Sequence, residues 1–132
     1  MKTIYTLLVS FITMCSLDMI WLGYVARAYY EKYLSAIINL KFNLWPGVAF
    51  YLLYLIGVYV FVLVPGIASR SMEKTLLLAA GFGFMCYMTY DLTNMATVKD
   101  WPINIVIIDI LWGIIITSVT AFVGYKFYFW ME

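Results

Sequence analysis

Asp18, Asp91 and Asp109 each stand inside a long apolar run, where a carboxylate has no obvious reason to be. An aspartate near the centre of a bilayer costs about 2.5–3.5 kcal/mol on insertion scales. They are three of the seven acidic residues in the chain, and no lysine or arginine lies in the middle of any of the runs to offset them. Two carboxylates sharing a low-dielectric pocket do not easily ionise together, so such a group is expected to retain protons and to titrate as a coupled set. The missing countercharge is then a proton, a metal cation or a cationic group on a ligand.

The spacing of the three acids points to one shared site. Asp18 precedes Arg27 by nine residues, Asp91 precedes Lys99 by eight, and Asp109 follows Asp100 by nine. On helices this sets all three roughly 12–14 Å below the same boundary. The runs that carry them are the first, third and fourth, and the fourth returns antiparallel, so sequence order does not force the agreement. Each acid also has a helical face. Gly83, Tyr87, Asp91 and Asn94 form one stripe, with Tyr90 and Thr97 beside it; Asp109, Gly113, Thr117, Thr120 and Gly124 form another. Small residues at that spacing permit close helix approach and turn the acid inward. Asp18 is accompanied by Cys15, Trp21 and Leu22, and Tyr51 and Tyr54 of the second run can supply hydroxyl donors. The candidate substrate-binding or proton-coupling set is therefore Asp18, Trp21, Tyr87, Tyr90, Asp91, Asn94, Asp109, Trp112 and Thr117. In the stretch TYDLTN (89–94) these residues are expected to build a polar wall inside a lipid-embedded cavity. A protonated aspartate that merely ties two helices together is the plainer alternative for any one of them.

The chemistry is bounded by what the chain lacks. It contains no histidine, which removes histidine haem ligation, most zinc and copper sites, and Ser-His or Cys-His catalysis. Three aspartates with Asn94 offer oxygen ligands of the kind that hard cations prefer, but the spacing carries no metal signature, and neither a metal nor a cofactor is assigned. Cys15 and Cys86 each lie well inside an apolar run and read as packing residues rather than a disulfide.

The elements that must position these groups follow from composition. Of 132 residues 66% are hydrophobic, 20% aromatic and only 11% charged, with a mean hydropathy of +0.95. A soluble domain of this size does not hide so much apolar surface. Four segments, about 4–26, 45–64, 75–97 and 103–126, are long enough to cross a hydrocarbon layer of about 30 Å. Each must be helical, because lipid offers the backbone no other partners. The expected fold is all-α: one polytopic membrane domain, a four-transmembrane-helix bundle. The first run is read as a retained helix rather than a cleaved signal, since Asp18 and Trp21 interrupt it and it is long for a signal core. Pro65-Gly66 is expected to end the second span and Trp101-Pro102 to close a tight turn between the third and fourth. Trp45, Trp101 and Trp130 fall where interfacial belts are expected.

Between the first two spans, Tyr30, Tyr33, Leu34, Ile37 and Ile38 recur at helical spacing, with Arg27, Glu31, Lys32, Ser35 and Asn39 largely between them. This is a short amphipathic segment, either a plain connector or a lid over a cavity. Orientation is not legible: Lys2, Arg70, Lys74 and Lys126 lie on the side of the termini, against Arg27, Lys32, Lys41 and Lys99 on the other. That balance is compatible with an ordinary single topology or with an antiparallel homodimer. The formal net charge of +1, without a basic cluster, gives no case for nucleic acid.

Two further patterns are visible. Leu17-Asp18-Met19-Ile20-Trp21 and Ile108-Asp109-Ile110-Leu111-Trp112 share an apolar-Asp-apolar-apolar-Trp motif, too short to establish duplication. Together, LDMIWLG (17–23), TYDLTNMATVKDWP (89–102) and IDILWG (108–113) resemble bacterial membrane proteins grouped as domain of unknown function 2177. The resemblance covers nearly the whole chain. It implies a four-helix, multi-pass protein of a bacterial inner (cytoplasmic) membrane and adds Trp101 and Pro102 to the motif positions, but it implies no reaction or substrate. Three functions stay open. The first is proton- or cation-coupled transport of a small cationic or amphipathic molecule. The second is an intramembrane enzyme acting on a lipid or isoprenoid, and the third a lipid-binding or assembly subunit. The partners implied are membrane lipids and protons or a small cation.

Overall fold

The computed structural model describes residues 1–36 and 43–132, and among them it contains helices and no strand. Four helices are long and apolar enough to span a membrane: α1 (Lys2–Val25), α3 (Leu44–Ala68), α4 (Met72–Thr97) and α5 (Ile103–Trp130). A short helix, α2 (Arg27–Leu34), follows α1 directly. The expected amphipathic segment is thus a helix of its own with Leu34 buried; the Ile37, Ile38 and Asn39 part of that expectation lies outside the described residues.

Contacts fix the arrangement. Lys2 lies over the Tyr128 ring, the Ser10 hydroxyl packs against Gly124, and Trp112 bonds Asp18, which is the register of two antiparallel helices. Between α4 and α5, Gly83 sits on the Gly113 carbonyl and the Thr117 hydroxyl, while Gly113 leaves the room that the Tyr87 ring fills. A side chain at either glycine has no space, so these two helices approach as only small residues allow. Met14, Val58, Val62, Leu63, Ala79, Ile116 and Ala121 are packed at the centre. Large apolar side chains such as Ile4, Leu8, Ile12, Leu53, Leu77 and Ile115 face outward, where lipid tails are their solvent.

Two helices widen locally. At the end of α1 the residues Trp21–Val25 form a π-turn, closed by the Ala26 N–H on the Trp21 carbonyl at 2.7 Å. The other π-turn, Tyr59–Leu63, lies just before Pro65. The helix therefore does not end at Pro65-Gly66, as the sequence suggested, but runs on to Ala68. Proline removes one backbone N–H and crowds the preceding turn; the widened turn absorbs both effects, as transmembrane helices tolerate. The actual reversal lies at Ser69–Ser71, with Arg70 in the left-handed region (φ 50°) and the Ser71 hydroxyl capping α4 by accepting from the Lys74 N–H at 3.1 Å. Arg70 then pairs with Glu132 on the side of the termini. The turn before α5 lies at Lys99-Asp100, with Asp100 at φ 59°, and is closed as expected by Trp101-Pro102, Pro102 standing at the N-cap.

The second half of α3 packs into the bundle, whereas its first half leans chiefly on α1. The interior is open beside this first half, at the end remote from the termini.

Candidate functional site

The opened end holds a cavity of about 1000 Å³. Its two buried carboxylates come from antiparallel helices, Asp18 of α1 and Asp109 of α5, while Arg27, Glu31 and Asn43 also line it. The two aspartates are 6% and 9% exposed. Aromatic rings form most of the remaining wall: Trp21, Tyr30, Phe50, Tyr51, Tyr87 and Trp112, with Tyr90 and Trp101 near the rim. The floor is Tyr54, whose hydroxyl lies 2.6 Å from that of Thr117. Thr117 spends its own proton on the Gly113 carbonyl at 2.6 Å, so Tyr54 is the donor in that pair. The Tyr54 ring meets Phe82 and Tyr87 edge to face, and below it the packed centre begins.

The two carboxylates are bound in a crossed pattern. The Trp112 indole N–H donates to Asp18 Oδ1 at 2.8 Å. In the other direction, the Trp21 indole N–H donates to the Tyr30 hydroxyl at 3.4 Å, and that hydroxyl donates to Asp109 Oδ1. The two indoles are stacked, 4.4 Å between centroids and 4° from parallel. Each Asp-Trp motif thus serves the acid of the other, one directly and one through Tyr30. With Asp18 level with Trp112 on the antiparallel helix, three residues of rise along each helix set Trp21 level with Asp109, so the geometry follows from the shared spacing. The Tyr51 hydroxyl also faces Asp18. Tyr30 stands outside the spans, and burial first, then its bond to Asp109, pushes its phenol above the ordinary range. It therefore keeps its proton and serves as a hydrogen-bond donor.

Asp91 occupies a different place. It is fully buried and does not line the cavity, and neither of its oxygens has a hydrogen-bond partner among the described residues. Its neighbours are the Asp109 carboxyl and the Trp101 indole, whose N–H is also buried without a partner among the described residues. The expectation that all three acids open on one chamber is corrected accordingly: two face the cavity and the third sits behind Asp109. Trp101 packs edge to face with Tyr90 and lies beside Asp91. Trp45 and Trp130 do lie exposed.

The other candidate residues divide. Trp21, Tyr87, Tyr90 and Trp112 line the cavity. Thr117 is one layer beneath it, bonded to the floor. Asn94 is half-buried and does not line it. The polar wall expected of TYDLTN is not formed by its threonines: Thr89 and Thr93 are exposed and donate to the carbonyls one turn back, and Thr97 does the same. Thr89 and Thr93 stand two residues either side of Asp91, about 200° around the helix, and so face away from it. Sequence reasoning missed Tyr30 as a site residue; its place on the apolar stripe of the connector was the available signal. At the mouth, Arg27 is paired with Glu31 at 3.0 Å, both well exposed. Cys15 and Cys86 are free thiols. Among the described residues no group of three or more metal-ligating acids or thiols is placed to hold an ion.

A family model described as predicted membrane protein (DUF2177) matches residues 3–126. The chain belongs to that family. The matched span includes every residue of the cavity and both Asp-Trp motifs. No curated protein and no solved structure matches the chain significantly.

Proposed function

We propose that this protein binds a small cationic or amphipathic molecule in the cavity at Asp18 and Asp109 and exchanges it for protons across the membrane. The observation that carries the reading is a pair of carboxylates in an aromatic-walled, membrane-embedded cavity whose one basic lining residue, among those described, is an ion-paired arginine at the mouth. Rings and carboxylates together attract cations by quadrupole and by charge, and acids inside membranes commonly mark ion or proton paths. Asp91, buried against Asp109, is suited to stay protonated while Asp109 releases its own proton into the cavity when a cation arrives, because the two are unfavourable as a doubly ionised pair. The setting we assign is the inner membrane of a bacterium.

The cavity wall along the first half of α3 favours a second reading, in which a lipid amine enters sideways between helices and is bound or altered without crossing. Proteoliposomes loaded with buffer and given a pH gradient separate the two. Gradient-driven uptake of labelled benzylguanidinium, a permanently charged cation at neutral pH, is expected for the wild type and absent in Asp109→Asn. Uptake that survives that substitution removes the carboxylate from coupling. Saturable binding without uptake in either gradient direction replaces transport with the second reading.

A further inference from the structure

Resting on the reading that the cavity receives a cation, we infer that Asp109 selects cations carrying N–H donors, and that Tyr30 sets this selectivity by competing for the same carboxylate oxygen. The two cavity acids are held differently. Asp18 takes its hydrogen bond from Trp112, whose ring is clamped in the stack with Trp21. Asp109 takes its bond from Tyr30, on a helix of eight residues that is joined to α1 through Ala26, where the α1 helix breaks. The donor on Asp18 is built into the bundle; the donor on Asp109 belongs to an appended element. A ligand reaches full contact with Asp109 by taking the place of the Tyr30 hydroxyl.

That exchange is favourable only for a ligand that returns a hydrogen bond. A buried acceptor left bare is penalised, by an amount worth roughly tenfold in an equilibrium constant. A guanidinium or protonated amine replaces the phenol with a charge-assisted donor. A quaternary ammonium carries the charge without a donor, so it leaves either the carboxylate bare or Tyr30 in place. Arg27 at the mouth does not serve as an internal substitute, because it is engaged with Glu31.

The test compares benzylguanidinium with benzyltrimethylammonium, equal in charge and ring, by calorimetric binding to the purified protein in nanodiscs. The wild type is expected to bind the guanidinium about tenfold more tightly. Tyr30→Phe, which removes the competitor, should tighten guanidinium binding about tenfold further and move the trimethylammonium less than about twofold. Trp21→Phe, which keeps a ring in the stack but releases the Tyr30 hydroxyl, should shift the guanidinium in the same direction by less, and guards against misfolding of the first variant. Equal wild-type affinities, or a Tyr30→Phe change that moves both ligands alike, overturns the selection by N–H donors while leaving cation binding intact. Absence of saturable binding for both ligands overturns the cation reading itself.

Discussion

Trp21 and Trp112 stack face to face across the α1–α5 seam, and the N–H of Trp112 ends on Asp18 one turn before its partner indole. A side chain so placed does two things at once: it packs, and, together with the Tyr51 hydroxyl, it satisfies a carboxylate that is costly in lipid. Trp112→Phe retains part of the stack and removes the donor. We expect a loss of about 1–3 kcal/mol, the cost of a buried polar group left without its partner, read by reversible unfolding in mixed micelles. The loss should shrink in an Asp18→Leu background, where there is no carboxylate to strand. An equal loss in both backgrounds would mean that the indole acts by packing alone.

The approach of α4 to α5 gives a second expectation. Gly113→Ala would drive its methyl into the Tyr87 ring, and Gly83→Ala would meet the Gly113 backbone. Overpacking of this kind costs about 1–3 kcal/mol. Because the ring can be removed and a backbone cannot, the penalty of Gly113→Ala should shrink in a Tyr87→Ala background, which lacks the ring atoms its methyl meets, whereas that of Gly83→Ala should persist, as measured by thermal stability in detergent.

Hydroxyls along the seam of α1 with α5 behave oppositely. Thr6, Ser10 and Thr120 are fully buried with no hydrogen-bond partner among the described residues, unlike Thr117, which bonds both Gly113 and Tyr54. Thr120→Val should therefore be neutral or stabilising by up to about 1 kcal/mol, whereas Thr117→Val should cost about 0.5–1.5 kcal/mol. A matched pair of unfolding curves decides the contrast; equal effects would contradict the difference in bonding.

These contrasts show what was legible in the sequence. Helix rise alone put Asp18 and Asp109 at one depth, which the crossed contact corrects to an offset of about one turn. That contact was already contained in the shared Asp-Trp spacing, because antiparallel helices with equal motifs meet reciprocally. The outward threonines were also readable, since four-residue intervals offset by two from Asp91 fall on the far face. The continuation through Pro65 was not, because it depends on a compensating turn that proline does not announce. Nor was the seclusion of Asp91 beside Trp101, a loop residue whose direction helix spacing does not set. Tyr30 was half legible: its stripe predicted a helix, but its bond to Asp109 follows from the break at Ala26 that folds α2 back onto the cavity.

Tyr30 also supplies the pH dependence. Its phenol is raised above the ordinary value of about 10, chiefly by burial and secondly by Asp109. A group whose folded value is raised contributes stability that is complete below the unfolded value and is lost as pH climbs toward the folded one. The docking of α2 should thus hold unchanged through neutral pH and weaken only above about pH 10. The difference in tyrosinate absorbance between wild type and Tyr30→Phe should accordingly be flat through the ordinary phenol range and appear only at higher pH. In Asp109→Asn the step should move down, since the negative partner is gone, yet remain above the ordinary value because burial is the larger cause. A Tyr30 step at the ordinary value in the wild type would mean that the phenol is in water and that α2 does not close on Asp109.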